Sequence, residues 1–195
     1  PVVLVLLTGS ALSVTWADEN IPAILNAWYP GAQGGRAVAS VLFGETNPSG
    51  RLPVTFYRTT EELPDFTDYS MENRTYRYMR NEALYPFGFG LSYTQFEYSD
   101  LKLSKDKIGV GEGFTISVKV TNTGRLAGEE VAQVYIKDVE ASWAVPNWQL
   151  SGMKRIKLES GESCKISFEI LPEQLAVVND DGESIIEPGD FEIYV

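Results

Sequence analysis

Residues 84–94 read Leu-Tyr-Pro-Phe-Gly-Phe-Gly-Leu-Ser-Tyr-Thr, and this run divides the chain into two parts of different character. Pro86 fixes its own φ and restricts Tyr85, while Gly88 and Gly90 permit backbone angles closed to other residues. Tyr85, Phe87, Phe89, Leu91 and Tyr93 alternate as an extended segment requires. The run reads as a packed linker. Residues before it mix helical and strand signals, and residues after it are strand-like almost throughout.

On the N-terminal side, Val2 to Leu7 is an unbroken Val/Leu run, the pattern of a strand covered on both faces as in a parallel sheet. Thr8-Gly9-Ser10 stops it. Asn20 reads as an N-cap with Pro22 just inside a helix, and Ile24, Leu25 and Trp28 supply the apolar face of that helix up to Pro30-Gly31. A second helix is expected from about Ala32, with Ala37, Val38, Val41 and Leu42 at helical spacing and Gly44 at its end. Gly34, Gly35, Ala39 and Ser40 are small enough for this helix to approach a sheet closely. Asn47-Pro48-Ser49-Gly50 is a turn, with a short strand after it over Leu52 to Phe56. Residues 57–83 are irregular, with Arg74 to Met79 expected as an edge or antiparallel strand. One certain strand, two helices and a second strand do not close an α/β domain.

On the C-terminal side, strand-like runs recur at Phe96 to Leu103, Phe114 to Thr121, Glu130 to Lys137, Met153 to Leu158, Ser163 to Ile170 and Phe191 to Val195. Short strands at this spacing over roughly 100 residues mark a two-sheet sandwich of the immunoglobulin or fibronectin type III kind. Phe114, Ile116, Val118 and Val120 alternate with Thr115, Ser117, Lys119 and Thr121, so one face is buried and the other wet.

Composition narrows the chemistry. Twenty-seven acidic against sixteen basic residues give a net charge of −11, which leaves no broad footprint for nucleic acid or an anionic membrane. Partners are expected among neutral or cationic molecules. The single cysteine, Cys164, permits no intrachain disulfide, and the absence of histidine rules out a Ser-His-Asp triad and Cys/His zinc sites within these residues. No metal site and no cofactor are expected. Pro1 to Leu7 is too short for a membrane span or signal-peptide core, and a chain opening on a buried strand looks like a piece of something longer.

Each candidate site has a plainer role beside it. Hydrolysis of a glycosidic bond needs two carboxylates across a sugar, and no acidic pair meets that test from sequence alone. Asp18-Glu19 suits a helix N-terminus, whereas Glu61-Glu62 and Asp180-Asp181 read as solvated loop charge. The glycines of residues 31–35 lack the Lys-Ser/Thr of a phosphate-binding loop. Asp68 to Arg74 gathers charge, amide and aromatic groups in one irregular loop, a better binding candidate that also serves to stitch domains. Trp143 and Trp148 read either as stacking platforms for sugar rings or as covers for the sandwich edge. Asn73-Arg74-Thr75 matches an N-glycosylation sequon, and Cys164 reads as a small residue without chemistry.

Four ordered stretches resemble the C-terminal part of glycoside hydrolase family 3 enzymes, the β-glucosidases and β-xylosidases. They are residues 1–10 (PVVLVLLTGS), 28–35 (WYPGAQGG), 44–56 (GETNPSGRLPVTF) and 85–94 (YPFGFGLSYT). The resemblance covers the whole chain. It implies an incomplete α/β (three-layer) sandwich domain over 1–83, a packed linker over 84–94 and a fibronectin type III-like β-sandwich over 95–195. It further implies that the nucleophilic aspartate lies in a barrel-like (β/α)8-type domain, and that the acid/base glutamate lies upstream of Val2 to Leu7. Neither maps onto this sequence, so no catalytic residue is assigned and the chain is expected to be silent alone.

The partners so implied are the catalytic barrel-like domain and the N-terminal part of the α/β domain, with an oligosaccharide or aryl glycoside as substrate of the full enzyme. The stretch Asn73 to Met79 resembles β-xylosidase-type members more closely. Glu72, Arg74 and Tyr76 are the residues expected near the outer, aglycone side of the cleft. The competing reading is a carbohydrate-binding or adhesive β-sandwich module using Trp143 and Trp148.

Overall fold

The computed structural model describes residues 1–195, which form two compact units, Pro1–Leu91 and Ser92–Val195. The chain is an incomplete α/β part joined to an all-β sandwich of the fibronectin type III kind.

In the first unit, β1 (Val3–Leu6) pairs in parallel with β2 (Ala23–Asn26), in register Val3 to Ala23 through Leu6 to Asn26. The connection runs through the short helix α1 (Thr15–Asn20), and α2 (Gly34–Leu42) comes after β2. Gly44 closes α2 as expected: its φ is +78° and its N–H donates to Val41 O at 3.0 Å.

Four local expectations are corrected. The segment after Asn20 is the strand β2 and not a helix, and Asn20 ends α1 with its Nδ2 donating to Trp16 O at 2.8 Å. Pro22 holds Ile21 extended (φ −115°, ψ 126°), which stops the helix, and the apolar residues beyond it are too few for a helical face. Leu52 to Phe56 is not a regular strand, because Pro53 has no N–H to give a ladder. Arg74 to Met79 is not an edge strand either but a single turn, α3 (Thr75–Tyr78). There the Thr75 N–H donates to the Tyr57 hydroxyl (2.8 Å) and the Tyr76 N–H to Thr55 Oγ1 (2.9 Å), tertiary bonds that override β propensity. The space around Gly35 is open, so close packing does not explain it; Gly34 is the constrained one, since a Cβ there would meet Pro30 Cγ at 2.6 Å.

In the second unit, one sheet is ordered β3 (Phe96–Leu103), β4 (Phe114–Asn122), β7 (Ser163–Ile170) and the other β10 (Phe191–Tyr194), β5 (Gly128–Asp138), β6 (Gln149–Leu158), all antiparallel. The strand β6 starts four residues earlier than its apolar pattern suggested, and the turn signal Asp181-Gly182 closes a hairpin of β8 (Val177–Val178) with β9 (Ser184–Ile185), strands of two residues that are too short to show alternation. The core comes from alternate residues of both sheets, among them Ile116, Val118, Val134, Ile166 and Ile170. A bulge at Asp100 (φ 54°) shifts the β3–β4 register between Ser99 and Lys102.

The two units differ in self-sufficiency. The sandwich has a core of twelve buried apolar residues, whereas the first unit buries only Ala17, Phe56, Met79 and Leu84. Along β1 and β2 no residue is fully buried, although their sequence is that of strands covered on both faces. A two-stranded sheet with so little cover is marginal by itself.

Candidate functional site

The sequence stretches that singled out this chain meet in the first unit. Leu52 N donates to Phe89 O and Gly88 N to Leu52 O, both at 2.8 Å, while Phe56 N donates to Tyr85 O and Leu84 N to Phe56 O, both at 2.9 Å. The segment after the 47–50 turn thus lies against the 84–91 stretch in a broken antiparallel pairing, with Pro53 and Pro86 at the gaps. Both glycines of the stretch have a physical reason. Gly88 adopts φ +81°, and a Cβ on Gly90 would fall inside the van der Waals radius of the Gly50 carbonyl oxygen.

Aromatic rings fill this junction. Phe56 packs edge-on against Trp28 (centroids 6.3 Å) and tilted against Tyr85 (6.0 Å), Tyr85 stacks on Phe89 (5.3 Å), and Tyr76 stacks on Phe87 (4.4 Å). Tyr85 also donates its hydroxyl to Asp18 Oδ1 at 2.5 Å, tying the junction to α1 across 67 residues of chain. No local pattern announces that pair. Partial burial, and then the hydrogen bond to and charge of Asp18, push the Tyr85 phenol above its ordinary value of 10.0.

A pKa raised in the folded state means that the fold holds the proton more tightly than the unfolded chain does. The Tyr85–Asp18 contribution is therefore complete below pH 10 and is lost as pH rises through and beyond that value. Tyr85→Phe is expected to cost about 1 kcal/mol at pH 7, because Asp18 is solvent-exposed, and to flatten the fall in stability above pH 10. Urea denaturation at pH 7 and pH 10.5 measures both; parallel losses in the two proteins would show that the pair does not carry the alkaline sensitivity.

Of the expected binding residues, Glu72 and Arg74 sit in the loop leading to α3 and Tyr76 in α3 itself. Arg74 donates through Nη2 to Asp65 O (2.7 Å) and Asp68 O (3.0 Å), the Glu72 carboxylate pairs with the Arg80 guanidinium, and the Tyr76 ring lies on Phe87. The Thr67 hydroxyl and amide hold the Asp65 carboxyl below its usual value, and the Ser70 amide and hydroxyl do the same for Asp68. Within this chain Glu72 and Arg74 brace their own loop, and Tyr76 packs on the 84–94 stretch. The sequon asparagine is engaged as well: Asn73 Oδ1 accepts from the Arg80 N–H at 3.1 Å.

In the sandwich, Trp148 meets Tyr194 edge-on at 4.1 Å and carries Lys137 Nζ over its ring at 5.4 Å, so it covers the sheet. No three acidic or cysteine side chains cluster to hold a metal ion, and no helix is long and apolar enough to cross a membrane.

Comparison with known proteins matches residues 1–93 to the glycosyl hydrolase family 3 C-terminal domain and residues 130–195 to a fibronectin type III-like domain. Residues 1–93 belong to the C-terminal domain of glycoside hydrolase family 3. A β-xylosidase of Formosa agariphila is 43% identical over the whole chain, and a periplasmic β-glucosidase of Salmonella typhimurium is 41% identical. The chain spans only 28% and 27% of the length of these two family 3 relatives. Among solved structures, β-glucosidase 3B from Thermotoga neapolitana, in complex with α-D-glucose, aligns with a TM-score of 0.89 at 37% identity, covering 98% of this chain and 28% of that one.

Proposed function

We propose that the chain is the supporting C-terminal region of a retaining, exo-acting β-glycosidase that releases terminal β-linked xylose or glucose from oligosaccharides or glycosides. The observation that carries this reading is the half-covered parallel pair β1–β2 in a chain that spans about a quarter of its family 3 relatives. Strands of this composition gain stability from cover on both faces, and the rest of the α/β domain is the partner that supplies it. The other partner is the barrel-like domain that carries the nucleophile. Reaction by double displacement requires two carboxylates on opposite sides of the scissile bond, and this chain contributes neither.

Under this reading the domains run 1–83 and 95–195 with 84–94 as the linker, and the segment holding Glu72, Arg74 and Tyr76 faces the aglycone side of the cleft. Its residues act by positioning that segment. The full-length protein is expected to hydrolyse a 4-nitrophenyl β-xyloside or β-glucoside with the β-anomer of the sugar appearing first in a proton NMR time course. Initial release of the α-anomer would overturn the retaining assignment, and inertness of the folded full-length protein toward both substrates would overturn the glycosidase reading.

A further inference from the structure

The outer face of the sheet β3–β4–β7 gathers lysines in a way that the sandwich does not require. Lys119 on β4 stands directly opposite Lys165 on β7, and Lys102 on β3 stands opposite Ser117, one diagonal step from Lys119. Directly opposed residues place their Cβ atoms about 5 Å apart and diagonal ones about 7–8 Å, so three like charges share one small area. Like charges facing each other across a ladder oppose pairing, and all three side chains are exposed and form no ion pair. Four other cations of the unit are matched, among them Lys105 with Glu112 at 3.0 Å, Lys137 with Glu192 at 3.2 Å, and Arg155 with Glu129, while the unmatched Lys107, Arg125 and Lys154 do not share a ladder position with another lysine.

Around the lysines the face is lined with hydroxyls. Ser99 and Ser117 flank Lys119, Ser167 lies opposite Ser117, and the Thr121 and Ser163 hydroxyls bond each other at 2.8 Å. Glu97 and Glu169 occupy the far corners, opposite Thr121 and Thr115. The result is a flat surface about 10 Å across, positive at its centre and rich in hydrogen-bonding groups, on a chain whose net charge is −11.

We infer that this face binds a polysaccharide bearing carboxylate groups, with Lys102, Lys119 and Lys165 pairing uronate side groups and the serine and threonine hydroxyls meeting the sugar hydroxyls. Charge complementarity selects the carboxylates. The glycosidase reading, on which the inference rests for this one choice, selects a glycan over other polyanions. The site is separate from Trp148, whose ring is taken up by Tyr194 and Lys137. Because the pairs are exposed and the chain is acidic overall, binding is expected to be weak and abolished by salt.

Affinity electrophoresis of the 195-residue chain through gels containing glucuronic-acid-substituted xylan, neutral arabinoxylan or no polysaccharide tests the proposal. Retardation is expected only in the glucuronic-acid gel. Three exposed ion pairs together amount to about a tenfold change in affinity, so Lys102→Ser/Lys119→Ser/Lys165→Ser should weaken binding by that factor. The circular dichroism spectrum of the variant should match that of the parent, and Lys107→Ser serves as a variant with a lysine removed elsewhere. Equal retardation of parent and triple variant, equal retardation by the neutral xylan, or no retardation of the parent would each overturn the site, as would retardation by double-stranded DNA in place of the uronan. The test needs no catalysis, so its failure leaves the glycosidase reading standing, and inactivity of the full-length enzyme leaves the binding result standing.

Discussion

Replacing Asn122 by alanine is expected to destabilise the sandwich by about 4 kcal/mol. Asn122 ends β4 with no exposed surface, and all four of its side-chain bonds are made. Its Nδ2 donates to Leu126 O (2.8 Å) and Leu158 O (3.1 Å), and its Oδ1 accepts from Thr94 Oγ1 (2.7 Å) and Gly124 N (3.1 Å). A net bond is worth about 1 kcal/mol, and truncation leaves the partners buried without replacements. Against a total stability of about 5–15 kcal/mol, the loss should lower the melting temperature of the sandwich by roughly 15–30 °C. Thr94→Val removes one of the four bonds and should cost about 1 kcal/mol. Thermal denaturation of the full chain followed by circular dichroism reads both; a shift below about 5 °C for Asn122→Ala would mean that the pocket relaxes around the loss. Thr94 closes the 84–94 stretch, so this bond also explains why the stretch ends on a hydroxyl.

The second large effect is expected at Gly90. A Cβ there would collide with the Gly50 carbonyl oxygen and crowd Arg51 Nη1 at 3.0 Å. Because the obstacle is backbone, it moves only by breaking the Leu52–Phe89 and Gly88–Leu52 bonds beside it. Gly90→Ala should therefore cost about 3 kcal/mol, within the range for overpacked sites. Gly50→Ala is the control, since its Cβ would meet nothing within 4 Å. Hydrogen exchange at Leu52, Phe56 and Gly88 is the sensitive readout: protection should fall by about a hundredfold in Gly90→Ala and stay near the parent value in Gly50→Ala. Equal protection in both variants would show that the two stretches are not locked by that close approach.

The sandwich was legible in the sequence because its strands alternate cleanly: β4 runs buried and wet in strict turn from Phe114 to Asn122. The family resemblance was legible as well, through short ordered motifs. The strand β2 was not, since a four-residue apolar run beside Pro22 has no period, and an N-cap candidate before it favoured the helical reading. The turn at α3 was hidden because Tyr57 and Thr55, far back in the chain, satisfy its first N–H groups. The Tyr85–Asp18 bond and the pairing of two motifs were hidden for the same reason, as contacts between distant residues leave no local trace. Glu72, Arg74 and Tyr76 stood out by residue type, yet their partners within the chain are internal.

Under the proposed function these residues support an active site whose carboxylates lie elsewhere in the protein. The most direct test is nitrophenol release from 4-nitrophenyl β-xyloside and β-glucoside by three samples: the 195-residue chain, the remainder of the full-length protein, and the two mixed after refolding together. No turnover by the chain, little by the remainder and restored turnover in the mixture are the expected results. Hydrolysis by the 195-residue chain alone would contradict a supporting role, as would full activity of the remainder without the chain.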